Sequence, residues 1–259
     1  RRQRQMCIRD SSAFRMDPEV PLVVPEVNPQ AILKHKGIIA NPNCSTIIMV
    51  MALKPIYDLA KIKRVIVSTY QAVSGAGKEG IDELDAQVRD HSEGREMTAN
   101  ILPSASAEKH YPIAFNLIPQ IDVFCDNLYT KEEMKMVNET KKIMEDYEMR
   151  ITATTIRVPV YRSHSESVNI ELEKEVDLGA MREALAKFPG VTVQDDPSKQ
   201  EYPMPLYTSE KDDVYVGRLR RDESCEKSYN MWVVGDQIRK GAALNTLQIA
   251  ETMIKNGWI

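Results

Sequence analysis

Apolar and polar positions alternate along this chain in short runs, and stripes of helical spacing separate those runs, so strands and helices are interleaved. The clearest strand covers 63–73, a stretch rich in β-branched and aromatic residues. Shorter strands are predicted at 38–40, 113–118, 151–160, 167–173 and 191–193. Two more, at 214–220 and 228–234, flank a polar turn and read as a hairpin. Helices are predicted over 46–60, 78–91, 178–188 and 238–254, with Pro55 expected to kink or divide the first and Asp177 capping the third. A further long helix opens at Thr130, an N-cap with Glu133 in the capping-box position. Between these lie an extended stretch at 20–27 broken by Pro21 and Pro25, a short helix or turn at 29–36, a polar excursion at 93–109 and a proline-rich loop at 201–207. The mixture, with a meander in the C-terminal half, places the fold between α/β and α+β.

Composition narrows the class. At 259 residues, 42% hydrophobic and 28% charged, the chain has the make-up of an ordinary globular protein of one or two domains. A net charge of −4 argues against nucleic acid or an anionic membrane as partner. The four cysteines (Cys7, Cys44, Cys125 and Cys225) are too widely spaced for a zinc site or a disulfide frame and read as reduced thiols. No run approaches the roughly 18 apolar residues of a membrane helix, and no signal peptide is recognisable, so a cytoplasmic location is expected. The tract Arg1–Arg9 is basic and without periodicity, and reads as a truncation or cloning junction in preference to a targeting arm.

One stretch carries candidate chemistry. Ile38–Ala40 breaks at Asn41-Pro42, and Cys44 follows directly, with Ser45 and Thr46 placed to cap an apolar helix. A thiol there meets unpaired N–H groups and the positive end of the helix dipole, which favour the thiolate and suit a covalent catalyst. Packing as a small buried hydrophobe is the alternative. Gly75-Ala76-Gly77-Lys78-Glu79-Gly80 matches a dinucleotide fingerprint, but no strand with an acidic end follows about 20 residues later. A tight loop beside a reacting centre suits these glycines better. Of the four histidines, His35, His91 and His110 sit in polar, surface-like stretches. His164 lies between Arg157, Arg162 and Glu166, either as a proton shuttle flanked by anion-binding arginines or within a surface network. Gln71 stands at a strand end, where α/β proteins place ligands. Glu132 and Lys135, at i and i+3, form either a clamp or a solvated ion pair.

Five spaced segments then converge on one family. Asn41–Thr46, Tyr70–Gly75, Ile113–Gln120, Arg157–His164 and Gly235–Asn245, in that order from about Ser11 onward, resemble aspartate-semialdehyde dehydrogenase, and most closely its Gram-positive and cyanobacterial form. The resemblance implies phosphate-dependent, NADP-linked oxidation of L-aspartate 4-semialdehyde to L-4-aspartyl phosphate, run in reverse in lysine, threonine and methionine biosynthesis. By the same resemblance Cys44 is the nucleophile that forms an acyl-thioester, His164 the acid/base and Gln71 the residue orienting substrate. Arg157 holds the substrate carboxylate and Glu132 its amino group, Arg15 and Lys135 bind inorganic phosphate, and Ser74, Gly75 and Gln237 touch the NADP cofactor. No metal is implied, and the expected assembly is a homodimer or homotetramer.

The implied architecture is a remnant of a Rossmann dinucleotide-binding domain at 11–43, an α+β catalytic and dimerisation domain with a mixed sheet at 44–236, and a C-terminal helix at 237–259 packing back toward the first. Residues 1–10 do not resemble the family, and the Gly-rich phosphate loop its members carry is not found, so the chain reads as an N-terminally truncated member, expected to be inactive alone. Two neighbouring readings are N-acetyl-glutamyl-phosphate reductase, whose cysteine segment differs at the positions of Asn43 and Ser45, and a Cys–His thiol hydrolase. A third is a non-catalytic oligomerisation fragment.

Overall fold

The computed structural model describes residues 7–9 and 12–259. Most of the tract read as a junction therefore lies outside the described residues, but Cys7–Arg9 form strand β1, parallel to β2 (Ile38–Ala40). Three residues are too few to display a period, so this strand is visible only through its partner. The chain continues through α1 (Cys44–Leu59), β3 (Ile62–Gln71), α2 (Lys78–Ser92), α3 (Lys131–Ile143), β4 (Arg150–Arg157), β5 (His164–Leu172), α4 (Leu178–Lys187) and β6 (Val191–Val193). A single helical turn, α5 (Pro205–Thr208), lies in the expected loop, followed by β7 (Val214–Arg221), β8 (Ser228–Gly235) and α6 (Leu244–Lys255).

Among the described residues β3–β8 form one mixed sheet, ordered β4-β3-β5-β8-β7-β6, with β3/β4 and β6/β7 parallel and the other pairs antiparallel. One face is apolar: Val65 and Val67 on β3, Val168 and Ile170 on β5, Tyr229, Met231 and Val233 on β8. Burial of this face, at about 25 cal/mol per Å² of apolar surface, drives α1, α3 and α4 onto it. The other face, with Ser167, Asn169, Asn230 and a tilted Tyr70–Trp232 pair, is partly exposed.

Register decides what gathers at the end of the sheet. Gln71 is paired with Arg157, Tyr70 with Ser165, and His164 with Gly235. Residues far apart in sequence thus meet at one end of the sheet's strands.

A second, smaller core joins Val23, Ile32 and Ile39 of the N-terminal segment to Ile249 and Met253 of α6. Two hydrogen bonds from Asn245 Nδ2, to Val23 O at 3.0 Å and Asn41 Oδ1 at 2.7 Å, fix that docking. The ammonium of Lys240, 1% exposed, is fully satisfied by Glu26, Asn245 and Gln248.

Three expectations need correction. The segment 113–118 is not a strand: Gln87 Oε1 accepts the N–H groups of Ile113 and Ala114, Phe115 has a positive φ, and only Ile118 bridges to Arg157. A side chain from α2 takes the place of a ladder. Pro55 does not divide helix α1, which continues to Leu59 and is buried along nearly all of its length before the proline. The last helix begins not as an α-helix but as a π-helical turn, Arg239–Ala243.

The capping box on α3 forms as the pattern dictates. Glu133 N–H donates to Thr130 Oγ1 at 3.2 Å, and Thr130 N–H donates to Glu133 Oε2 at 2.7 Å. Thr130→Ala is expected to lower stability by about 1–2 kcal/mol, read as a fall in the urea midpoint at unchanged m-value.

Candidate active site

Cys44 is the first residue of α1, and the helix is capped by Asn43, not by Ser45 or Thr46 as the sequence suggested. Asn43 is extended (φ −60°, ψ 144°), and its Oδ1 accepts the Thr46 N–H at 3.2 Å. The same amide donates from Nδ2 to Glu132 Oε1 at 2.9 Å, and the Asn43 backbone N–H donates to Glu139 Oε2 at 2.6 Å. The turn that aims the nucleophile is therefore tied twice to α3. From the other side the π-helical turn brings Gly241 so close that a Cβ on it would lie 2.9 Å from Cys44 Cβ.

Glu132 is the centre of the polar network. It is 5% exposed, and it accepts from Asn43 and from Gln71 Nε2 at 3.3 Å, while Lys135 Nζ approaches Oε2 at 3.2 Å. The solvated-ion-pair reading of Glu132 and Lys135 does not hold for so buried a carboxylate. Lys135 also pairs with Asp122 at 2.9 Å; burial works against its charge, and the two carboxylates outweigh it and hold its pKa above the ordinary value.

The thiol itself departs from expectation. Burial, and then the negative charge of Glu132, push Cys44 from 9.0 up to about 12, against the pull of the Ser45 N–H and Arg157. A helix start returns about 0.3–1 kcal/mol to a thiolate, less than removal from water and a neighbouring carboxylate take away. The resting group is the neutral thiol.

His164 and Arg157 meet at the end of β3. His164 is completely buried, and its Nδ1 accepts the Ala72 N–H at 3.1 Å, which places the ring hydrogen of the neutral form on Nε2. That Nε2 has no hydrogen-bond partner among the described residues. Burial, with a smaller contribution from Arg157, holds the pKa well below 6.5. Arg157, 3% exposed, donates from Nη1 to Ala72 O at 2.7 Å, while its Nε is unpartnered. Such a guanidinium suits a carboxylate. Arg162, the other candidate anion ligand, is instead engaged by Asp236 at 2.7 Å and Glu210 at 3.3 Å. Glu166 belongs to no surface network either: it is fully buried, and burial followed by Glu132 raises its pKa well above the usual value.

The glycine motif folds against this pair. A Cβ on Gly75 would stand 2.8 Å from Arg157 Nη1 and 3.2 Å from His164 Cε1. Gly77 (φ 83°) starts α2, and a Cβ on Gly80 would lie 2.6 Å from Val73 O. Each glycine thus has a local steric reason, and the 93–112 stretch that follows α2 contains no strand. Beneath Gly75, Gln237 Nε2 donates to Ser74 Oγ, and Gln237 Oε1 accepts the Ser163 N–H at 2.9 Å. Arg15 and Lys135 line one pocket of about 190 Å³, together with Lys131, Asn138 and Glu139. Arg15 Nη1 donates to Glu139 Oε1 at 3.2 Å.

All ten expected site residues thus fall in this region, and the other three histidines do not. Sequence reasoning missed Asn43, Asp122, Glu139 and Gly241. Asn43 was detectable as a better N-cap than serine one residue into a helix, and Glu139 as the residue seven beyond Glu132 on one helix face. Nothing local marked Gly241. Among the described residues no cluster of three potential metal ligands occurs, and no helix is long and apolar enough to cross a membrane.

Residues 53–240 match the family described as semialdehyde dehydrogenase, dimerisation domain. The chain is 56% identical over 254 residues to aspartate-semialdehyde dehydrogenase of Aquifex aeolicus, covering 97% of this chain and 73% of that protein. It is 52% identical over 249 residues to the Bacillus subtilis enzyme of that name, covering 96% and 72%. Among solved structures, aspartate semialdehyde dehydrogenase II of Vibrio cholerae complexed with ASA superposes with a TM-score of 0.90 at 46% identity, covering 96% of this chain and 72% of that one. The Candida albicans enzyme solved with NADP shares the fold, with a TM-score of 0.72 at 24% identity over 98% and 72% of the two chains.

The electrostatics make a direct prediction. Iodoacetamide labelling of Cys44, followed by peptide mass spectrometry, should be slow at pH 8 and rise with pH without a plateau up to pH 9. Glu132→Gln removes a charge that raises the thiol pKa, so it should speed labelling at pH 8 several-fold; an unchanged or slower rate contradicts the assigned electrostatics.

Proposed function

The chain belongs to the aspartate-semialdehyde dehydrogenase family, and on that premise we propose that it oxidises L-aspartate 4-semialdehyde to L-4-aspartyl phosphate through an acyl-thioester on Cys44. The observation that carries this reading is the meeting of Cys44, Gln71 and Arg157 around the Glu132 carboxylate, with His164 beside Arg157 and a cationic pocket next to them.

Each group has work that its surroundings suit. The unpartnered Nε of buried Arg157 takes the α-carboxylate of the substrate, and Glu132 receives the α-ammonium. Gln71, bonded to both Thr69 and Glu132, orients the bound molecule. The Cys44 sulfur bonds to the aldehyde carbon as the C=O π bond opens, and the thiol proton passes to the carbonyl oxygen to give a neutral hemithioacetal. His164 presents Nε2–H to that oxygen and stabilises the charge it develops as the C–S bond forms. For the ring to act as a proton acceptor at Nε2, its hydrogen must first move to Nδ1 and the bond from Ala72 must open. This refines the simple acid/base role.

Ser74, Gly75 and Gln237 suit the nicotinamide end of NADP: the exposed Gly75 backbone lies flat against His164 and Arg157, where a Cβ would intrude. Bound NADP supplies the hydride acceptor at this place. In the last step phosphate, held by Arg15 and Lys135, attacks the thioester carbon; the C–O bond forms, the C–S bond breaks and Cys44 leaves as thiolate. The same reading places the enzyme in cytoplasmic lysine, threonine and methionine biosynthesis, as a homodimer or homotetramer. It divides the chain so that 44–236 carries the chemistry and 237–259 returns to the 11–43 segment, a division supported by the separate small core those two parts share.

Two measurements test it. Mixed with L-4-aspartyl phosphate, the protein should release phosphate and carry a hydroxylamine-sensitive acyl group on Cys44, and Arg157→Ala should slow that acylation by about 10²-fold or more. Turnover of the semialdehyde should require both NADP and phosphate and fall by about 10³-fold or more in Cys44→Ser. Absence of acylation at Cys44, or turnover independent of phosphate, overturns the proposal.

A further inference from the structure

Glu139 takes part in none of these steps, yet its carboxylate touches two parts of the site. It stands two helical turns beyond Glu132 on the same face of α3 and is 1% exposed. Oε1 accepts from Arg15 Nη1 at 3.2 Å, and both side chains are at least nine-tenths buried. Oε2 accepts from the backbone N–H of Asn43 at 2.6 Å, the residue that caps α1 and precedes Cys44. One rigid carboxylate therefore joins the guanidinium on the phosphate pocket to the turn that aims the nucleophile.

On charge alone its place is unfavourable. Glu139 lines the same pocket of about 190 Å³ as Arg15 and Lys135, where an incoming phosphate is also negative. Burial raises its pKa to about 7, with Arg15 and the Asn43 N–H pulling the other way and Glu132 adding to the rise. What a carboxylate offers here is geometry: two fixed acceptors that face two donors from distant parts of the chain, 15 and 43, neither of which is held on α3.

We propose that Glu139 is a positioning residue for phosphate: it sets the Arg15 guanidinium in the pocket and keeps it in register with the Asn43–Cys44 turn, where the thioester carbonyl forms. The proposal rests on the reading of Arg15 as a phosphate ligand. A carboxamide at 139 keeps the volume and one acceptor, and loses the charge and the second acceptor, so Arg15 and Asn43 can no longer both be held.

The test is phosphorolysis of the acyl-thioester, with the protein preloaded on Cys44 and inorganic phosphate varied. Glu139→Gln should raise the half-saturating phosphate concentration about tenfold, while the limiting rate stays within about threefold and the extent of acylation is unchanged. Arg15→Gln should raise it at least as much, and the double variant should be no worse than Arg15→Gln alone, because both substitutions break one interaction. A merely structural role for Glu139 predicts additive effects and a loss of acylation together with phosphate affinity; that result overturns the proposal. A raised phosphate requirement in Arg15→Gln with none in Glu139→Gln overturns the positioning role alone. An unchanged phosphate requirement in Arg15→Gln overturns both it and the reading of Arg15. Thermal midpoints of the two single variants, expected within a few degrees of the parent, exclude general unfolding as the cause.

Discussion

The site depends on a buried negative charge. Glu132, almost wholly out of water, is tolerable only because Asn43, Gln71 and Lys135 all direct donors at it and Arg157 contributes opposite charge nearby. These donors come from the helix cap, from the end of β3 and from α3 itself, so satisfying one carboxylate draws three elements together. The same charge has a chemical consequence, since it acts against ionisation of Cys44. The charge of Glu132 therefore favours the neutral thiol, in a site where a substrate ammonium would offset it.

The second constraint is steric. Close packing of backbone around the nucleophile leaves no room for side chains at Gly75, facing Arg157 and His164, or at Gly241, facing Cys44. The π-helical turn at Arg239–Ala243 places Gly241 there, and Asn245 and Lys240 hold the start of α6 onto the N-terminal segment. The C-terminal helix thus serves the site through backbone position, with Gln237 as the side chain that reaches Ser74.

Two buried groups without partners lie where the chemistry is concentrated. Arg157 Nε and His164 Nε2 are these groups, and both lie at one end of the sheet, on the two strands that flank β3. Unpaired polar atoms in a close-packed interior cost roughly 1–3 kcal/mol each. Here they are aimed where a ligand with a carboxylate and a reacting oxygen has complementary atoms. The fold tolerates this because the large apolar core beneath the sheet supplies the stability the site does not.

Local physics was readable from residues alone wherever a few neighbours suffice. The β-branched run of β3, the Thr130–Glu133 capping box and the Asp177 cap all formed as their side chains dictate, and the motifs around Cys44, Gln71, Arg157 and His164 already resembled one family. Short or competing signals were decided by tertiary contacts. Cys7–Arg9 is a strand only because Ile38–Ala40 lies beside it, and 113–118 is not one because Gln87 takes its N–H groups. Charge states followed the same division. A cysteine at a helix start reads as a thiolate from sequence, where the dipole is the only visible influence; its neutral form is set by burial and by Glu132, 88 positions further along the chain. Spacing could nominate the residues, but desolvation and distance decided what each of them does, and both arise only when the chain is folded.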